Sequence, residues 1–178
     1  MNPKPIVAVG SIAVDWLELP DGTKGETLGG SLTYFTRSAG ILAPVNVVGV
    51  VGTDYPDEGM ALFKKYGASL EDLQIEEGES FRWGGSYHDN WKNRTTLYTE
   101  LGVFETFSPR LSEANRQSPL LYLGNIHPAL QFDVLTQMAS HDAMTVCDTM
   151  NLWINTTRED LNKVLRGIDV LLLNETES

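Results

Sequence analysis

The sequence predicts an α/β fold in which a largely parallel sheet is flanked by helices and carries a small inserted β-hairpin. Two observations support this prediction. Short apolar, β-branched segments alternate along the chain with longer segments of helical spacing. Residues 80–101 break this alternation with aromatic and threonine-rich segments that favour strands. The 178 residues suit a single domain, since domains usually run to ~100–200 residues.

The chain begins with a strand. Residues 6–12 are apolar and β-branched, with prolines before them and a glycine among them, as in a buried central strand. Residues 14–19 continue in an extended conformation, and a turn follows at residues 20–22.

The first helix is predicted at residues 31–43, directly after Gly29 and Gly30. Ser31 is its candidate N-cap, apolar residues recur at helical spacing, and Pro44 ends it. The first part of the chain therefore reads as strand, loop and helix.

The later elements continue the alternation. Residues 45–51 form a second apolar strand, and residues 56–67 a helix with an early proline, late lysines and a final glycine. Within the inserted segment, residues 89–93 suit a hairpin loop. The remaining predicted elements are strands at residues 120–123, 144–147 and 170–173, and helices at residues 129–140 and 158–165.

Composition excludes several classes of protein. The chain has 13 Lys and Arg against 24 Asp and Glu, a net charge of −11 that gives no drive to bind nucleic acid or anionic membranes. No apolar run approaches the ~20 residues of a membrane helix. The single cysteine, Cys147, has apolar neighbours and reads as a buried small hydrophobe in a reducing compartment. We therefore expect a cytoplasmic protein.

Common catalytic motifs are absent from the sequence. Residues 10–15 (GSIAVD) follow the first strand without a G-x-G-x-x-G pattern, and no P-loop occurs. His88, His127 and His141 lie far apart without cysteines at zinc-binding spacing, and there is no G-x-S-x-G elbow. Classical dinucleotide, P-loop, zinc and serine hydrolase sites are excluded, and the histidines are expected in surface or loop positions.

Five motifs nevertheless occur in order. They are GSIAVD at residues 10–15, GGS at 29–31, VGVVGTD at 48–54, the aromatic hairpin, and NETE at 174–177. In this order they resemble the ribokinase-like carbohydrate kinase family of phosphofructokinase-B type. The resemblance implies an incomplete ribokinase-like α/β domain with a β-lid at about residues 80–101. It also implies ATP, Mg²⁺ and transfer of the terminal phosphate to a hydroxyl of a sugar, nucleoside or related molecule.

Asp15, Gly29 and Gly30 carry the implied substrate site. Asp15 matches the acidic residue that holds substrate hydroxyls in this family, and a strand-end carboxylate can accept two charge-assisted hydrogen bonds. The glycine pair, followed by Ser31, would let the substrate approach the backbone at a helix N-terminus. The alternatives are a solvated or helix-capping aspartate and an ordinary tight turn.

Tyr34 is a departure from the family pattern. Many members of the family have asparagine four residues after the second glycine, where it contacts sugar hydroxyls. An aromatic side chain replaces hydrogen bonding with stacking, so a nucleoside or another cyclic ligand is a candidate substrate.

The lid supplies further candidate contacts. A lid excludes water and fixes the reacting hydroxyl near the donor phosphate. Arg82, Tyr87, His88 and Arg94 are its candidate ligand-binding residues. The alternative is that the lid's aromatic residues pack its own base or a dimer contact, which makes a homodimer through the lid a candidate assembly.

Polar residues after the later strands are expected near substrate and phosphate. Asn125 falls where the family often places a substrate-contacting polar residue. Asn174 and Glu177 match the family's N-x-x-E motif, which organises Mg²⁺ and phosphate through water. Asp148 and Asn151 resemble a D-x-x-N variant of a nearby polar pair. No direct metal ligand is expected, and Asn174 has the alternative role of capping a following helix.

The family's catalytic base and anion-hole glycines lie in a G-A-G-D-type motif that this sequence lacks. Phosphoryl transfer depends on such positioning and charge stabilisation. We therefore expect the chain to carry the substrate-binding, N-terminal part of a kinase and to bind better than it catalyses. The alternatives are a non-enzymatic relative that acts as a small-molecule-binding or oligomerising module, and an unrelated open α/β nucleotide binder, for which no phosphate loop is present.

Overall fold

A computed structural model describes residues 3–66, 69–88, 93–140 and 142–178. Its strands in chain order are β1 Ile6–Val9, β2 Ala13–Glu18, β3 Lys24–Gly29, β4 Val45–Gly52, β5 Leu73–Glu76, β6 Phe81–Tyr87, β7 Arg94–Glu100, β8 Leu120–Leu123, β9 Met144–Asp148 and β10 Val170–Leu172. Its helices are α1 Ser31–Ala39, α2 Asp57–Lys65, a 3₁₀ helix at Gly102–Thr106, α3 Glu113–Arg116, α4 Pro128–Gln137, α5 Asn151–Thr156 and α6 Arg158–Leu165.

The central sheet has the strand order β10-β9-β8-β1-β4-β5, and all its pairings are parallel. Along β1, Val7 and Val9 pack into one hydrophobic cluster, whereas Ala8 packs into another. Because both faces of the sheet are covered, its strands are nearly continuous apolar runs. The predicted parallel sheet flanked by helices is confirmed.

A second, four-stranded sheet has the order β3-β2-β6-β7. β2 pairs with β3 antiparallel and with β6 parallel, and β7 closes the far edge against β6. We call these four strands the lid. The prediction of an inserted hairpin alone was therefore incomplete, since β2 and β3 belong to the same sheet. β3 was not predicted because its sequence, KGETLG, is polar and glycine-rich, and its pairing with β2 outweighs its weak strand propensity.

Several predicted boundaries need correction. The first strand ends at Val9 rather than residue 12, and the first helix ends at Ala39 rather than residue 43. The N-cap of α1 is Gly30 rather than Ser31, because the Ser31 hydroxyl is engaged with Ser11. The predicted end of the second helix at Gly67, the hairpin loop at residues 89–92 and His141 lie outside the described residues.

Across the described part of the chain, no helix combines the length and the apolar character that crossing a bilayer requires.

The buried thiol of Cys147 gives a test of the core. Cys147 is 0% exposed, as predicted, and burial raises its pKa to about 12. Since the thiolate is the reactive species, the folded chain at pH 8 should react with Ellman's reagent at least ~100-fold more slowly than the chain in denaturant. Fast stoichiometric labelling of the folded chain would contradict the buried position of β9.

Candidate active site

A cleft of about 640 Å³ lies between the lid and the carboxyl ends of the central strands. Ser11 follows β1, Asn125 follows β8, and Asp148 ends β9, and all three line the cleft. The lid contributes residues of β2, β6 and β7 to the opposite wall. Ligands of open α/β sheets bind at this edge of the sheet, outside the carboxyl ends of the strands.

Asp15 lies in the lid wall of the cleft. It sits on β2 between Ala13 and Leu17, which face the cleft with it because side chains alternate along a strand. No described residue donates a hydrogen bond to its carboxylate, and burial raises its pKa to about 6. The site thus contains a desolvated carboxylate whose acceptor sites are free for a ligand.

The glycine pair is explained by two close approaches. A Cβ at Gly29 would collide with the Asp15 carboxylate. Gly29 is paired with Ala13 on β2, and Asp15 is the next residue along β2 on the same face. Gly30 has φ +89°, and its Cβ would collide with the carbonyl of Ser11. The missing side chain at Gly29 therefore makes room for Asp15, a role that the sequence did not reveal.

Ser31 is tied to Ser11 at the floor of the cleft. The amide of Ser31 donates to the Ser11 hydroxyl over 3.1 Å, and the amide of Ser11 donates to the Ser31 hydroxyl over 3.2 Å. The Leu32 amide donates to the Ser11 carbonyl over 3.0 Å. These bonds join the end of β1 to the start of α1. Ser11 was not predicted as a site residue, although it lies in the GSIAVD motif.

Tyr34 stands at the mouth of the cleft on α1. Its side chain remains 53% exposed. Burial raises its pKa, and the nearby charges of Asp15 and Tyr87 raise it further. Tyr34 and Asp15 line the same cleft.

Aromatic side chains form the lid wall. Phe81, Trp83 and Tyr87 of β6 line the cleft together with Phe104 of the 3₁₀ helix. The rings of Phe81 and Phe104 stack at 5.5 Å between centroids. The Arg94 guanidinium lies 5.7 Å from the Trp83 ring. Of the lid candidates, Tyr87 and Arg94 therefore line the cleft.

Arg82 and His88 lie elsewhere. Arg82 follows Phe81 on β6 and points to the opposite face of the lid, where its guanidinium pairs with Glu26 and Asp54, each at 3.0 Å. His88 shares a hydrogen bond of 3.0 Å with the Thr95 hydroxyl. The structure does not bring Arg82 to the cleft, because successive residues of a strand face opposite sides.

Asn125 lines the cleft with an amide that is already engaged. Its carbonyl oxygen accepts a hydrogen bond of 2.8 Å from the Trp153 indole, and its NH₂ group lies 3.2 Å from the Met150 sulfur. Trp153 also packs edge-on against His127, with 5.2 Å between ring centroids. Trp153 and Met150 line the cleft and were not predicted as site residues. Trp153 lies on α5 and Met150 is the N-cap of that helix, which is short and has no clear periodic pattern in the sequence.

The predicted phosphate-side residues lie together at one end of the central sheet. Asn174 donates to Glu177 from its side chain over 2.6 Å and from its backbone over 3.1 Å. Asn151 donates to the Thr176 hydroxyl over 3.2 Å, and that hydroxyl donates to Asn174 over 2.8 Å. The pKa of Asp148 is raised by burial and then by the charge of Glu177.

These residues supply oxygen ligands of the kind that suits a hydrated Mg²⁺. Within residues 3–66, 69–88, 93–140 and 142–178, no three His, Cys, Asp or Glu side chains are grouped to hold a metal directly.

Comparisons with known proteins place the fold. The chain matches no family model. It is 22% identical over 176 residues to a cytidine kinase from Thermococcus kodakarensis, a match that covers 97% of this chain and 62% of that protein.

Solved structures resemble the chain over almost its whole length. The nucleoside kinase of Burkholderia thailandensis in complex with inosine has a TM-score of 0.78 at 16% identity, with 97% of this chain and 61% of that chain covered. The adenosine kinase of Anopheles gambiae has a TM-score of 0.79 at 15% identity, with 99% and 66% covered. The nucleoside kinase of Methanocaldococcus jannaschii, an archaeal member of the ribokinase family, has a TM-score of 0.74 at 16% identity, with 99% and 63% covered.

These likenesses confirm the predicted ribokinase-like fold. The chain spans between 61% and 66% of the length of the proteins compared.

Asp15 predicts an unusual dependence of stability on pH. Its pKa rises from 3.8 to about 6 on folding, so the neutral acid favours the folded state below pH 4, and this contribution is lost as the pH rises through 6. The change corresponds to ~3 kcal/mol before solvent screening. Partial exposure reduces the effect, and we expect Asp15→Asn to stabilise the chain by about 1 kcal/mol at pH 7.5 and not at pH 4.

Urea unfolding at both pH values measures this difference. Asp21→Asn is the matched control, because hydrogen bonds from Thr23 lower the pKa of Asp21, so its amide variant should not stabilise the chain at pH 7.5. Equal unfolding midpoints for the parent chain and Asp15→Asn at pH 7.5 would contradict the buried, unpartnered carboxylate.

Proposed function

Because the chain has the ribokinase-like fold, we propose that it carries the substrate site of an ATP-dependent kinase that phosphorylates a hydroxyl of a nucleoside or sugar. The observation that carries this proposal is Asp15, a desolvated carboxylate without a described hydrogen-bond donor in an aromatic-walled cleft. The catalytic base and anion hole would belong to the part of the similar kinases that the match to this chain does not cover.

Asp15 would act by accepting hydrogen bonds from two neighbouring hydroxyls of the substrate. An ionised carboxylate has two oxygens that accept such bonds with charge-assisted strength. Binding therefore requires the ionised form, which costs free energy in the empty cleft because burial favours the neutral acid. Hydrogen bonds from ligand hydroxyls would stabilise the ionised carboxylate, so the site would favour a polyhydroxylated ligand.

The aromatic wall favours a nucleoside over a free sugar. Trp83 is in register with Asp15 on the adjacent strand, and both residues line the cleft. Phe81, Phe104 and Tyr34 extend the apolar surface along the cleft. Stacking of a base on an aromatic side chain contributes ~1–3 kcal/mol. The similar proteins described above act on cytidine or adenosine, or hold inosine, which supports this choice of substrate class.

ATP and Mg²⁺ are the implied donor and ion. Asp148, Asn151, Asn174 and Glu177 would hold hydrated Mg²⁺ and the phosphates beside the substrate hydroxyl. The ion would neutralise charge that develops on the transferred phosphate. The chain's own residues would bind the substrate, orient its hydroxyl and exclude water by the lid. A cytoplasmic location is part of the same proposal, since a single unpaired cysteine fits a reducing compartment.

A non-catalytic binding or oligomerising module is the second candidate. Leu97 and Tyr98 are exposed on β7, the edge strand of the lid. Val170 and Leu172 are exposed on β10, the edge strand of the central sheet. Exposed sheet edges and apolar patches favour association, including a homodimer through the lid.

A ligand panel tests the substrate site. We expect cytidine, inosine or adenosine to raise the melting temperature of the chain, because a ligand that binds only the folded state stabilises it by mass action. Affinity measured by calorimetry should strengthen as the pH rises through about 6, where Asp15 ionises. Asp15→Ala should weaken binding by at least tenfold, since it removes hydrogen bonds to a charged acceptor worth ~1.5–3 kcal/mol each.

Two outcomes would count against this proposal. Unchanged affinity in Asp15→Ala would show that the ligand binds elsewhere. Absence of binding by any nucleoside or ribose, combined with concentration-dependent dimerisation, would favour the non-catalytic module.

A substitution in the aromatic wall tests the preference for nucleosides. Trp83→Leu should weaken nucleoside binding about tenfold, because it removes the base-stacking surface, and leave ribose binding within twofold. Trp16→Leu is the matched control: Trp16 is on the adjacent strand β2 and does not line the cleft. Equal losses in the two variants, measured by calorimetry, would remove Trp83 from the substrate site.

A further inference from the structure

Asp54 connects the central sheet to the lid. It follows β4, and one oxygen of its carboxylate accepts hydrogen bonds from the Ser80 amide over 2.7 Å and from the Ser80 hydroxyl over 2.8 Å. The other oxygen accepts from the Arg82 guanidinium over 3.0 Å. The Ser80 hydroxyl also accepts from the Gly52 amide over 2.9 Å. We call Asp54, Ser80 and Arg82 the latch.

The latch lies where the chain passes from the core into the lid. Ser80 is 1% exposed and directly precedes β6. The returning chain is held at the same place, because the Val103 amide donates to the Glu79 carbonyl over 2.9 Å. Burial alone would raise the pKa of Asp54, but the hydrogen bonds from Ser80 and Arg82 lower it overall, so the carboxylate stays ionised at neutral pH.

The alternation of β6 connects the latch to the cleft. Ser80 and Arg82 face Asp54, whereas Phe81 and Trp83, which alternate with them, face the cleft. The Asp54 carboxylate therefore binds the face of β6 that points away from the cleft, and the opposite face of β6 forms the aromatic wall. Loss of these hydrogen bonds would shift that wall relative to Asn125 and Asp148 on the core side of the cleft.

We propose that Asp54 is a positioning residue that fixes the lid relative to the carboxyl ends of the central strands and so sets how the aromatic wall meets a ligand in the cleft. The ligand part of this inference rests on the proposed function. The attachment of the lid to the core does not, and it is tested without any ligand.

Glu26 provides a control within the same ion-pair network. It pairs with Arg82 at the same distance of 3.0 Å, but it lies on β3 and therefore joins two strands of the lid to each other. Its side chain is 61% exposed, against 29% for Asp54. Loss of either carboxylate removes one partner of Arg82, yet only the loss of Asp54 removes a contact between the lid and the core.

Hydrogen exchange of the full chain tests the latch. Asp54→Asn should speed exchange of the lid amides in β6 and β7 at least tenfold and leave the amides of β1, β4 and β8 within twofold. Glu26→Gln should leave both sets within twofold. Equal acceleration in the two variants, or acceleration throughout the core, would overturn the latch and leave an ordinary structural ion pair.

A second variant covers the case in which Asp54→Asn does not fold. Arg82→Lys keeps the charge but cannot bridge two carboxylates with a planar fork. It should give a smaller acceleration confined to the lid, and an unchanged lid would overturn the proposal.

Measurements of nucleoside affinity distinguish the positioning role of Asp54 from the substrate-binding role of Asp15. For the nucleoside that binds in the panel, Asp54→Asn should weaken binding about tenfold at every pH and retain the pH dependence of Asp15. Asp15→Asn should instead abolish that dependence. An effect of Asp15→Asn without any effect of Asp54→Asn would contradict the positioning role of Asp54 alone, whereas no effect of Asp15→Asn would contradict the substrate site.

Discussion

The parallel central sheet, buried on both faces, is the constraint on which the rest of the structure depends. Val9, Leu123 and Cys147 end or nearly end their strands with 0% exposure, so these positions offer no polar side chain to a ligand. Polar residues first become accessible where the strands stop. Because all six strands are parallel, those positions gather at one edge, and the residues after β1, β8 and β9 meet there although they are distant in sequence.

The carboxyl edge of the central sheet would be open to water without the lid, which forms the opposite wall of the cleft. The lid is a small sheet with one side over the cleft, and a small isolated sheet is only marginally stable in water. Its order therefore depends on attachments to the core. The Ser11–Ser31 bonds hold one end, where β2 and β3 join the core, and the latch holds the other, where β6 leaves it. Both attachments use polar contacts, which can be remade after the lid moves more readily than interdigitated apolar packing.

The parts of this arrangement that follow from local pattern could be predicted from the sequence, and the parts that follow from pairing could not. The apolar runs at β1, β4 and β8 identify buried strands by themselves. β3 is a strand only because β2 lies beside it, and its own residues favour a loop. Arg82 was predicted as a site residue because the sequence places it in the lid. The sequence does not show which face of the strand it occupies, and a shift of one residue in the alignment moves a side chain to the other face. The occupied amide of Asn125 depends on Trp153, which is 28 positions away in sequence.

The charged residues of the cleft determine which ligands can bind there without an accompanying cation. Asp15 and Asp148 both line the cleft, and burial raises the pKa of each. Their partly desolvated surroundings therefore disfavour additional negative charge. Among the described residues that line the cleft, Arg94 is the only permanent cation, and its guanidinium lies over the Trp83 ring. A neutral polyhydroxylated ligand satisfies these carboxylates without adding charge. A phosphate brought to the Asp148 end would meet repulsion from Asp148 and Glu177 unless a cation accompanied it. Under the proposed function, the same acidic residues that admit a nucleoside would therefore make phosphate binding dependent on Mg²⁺.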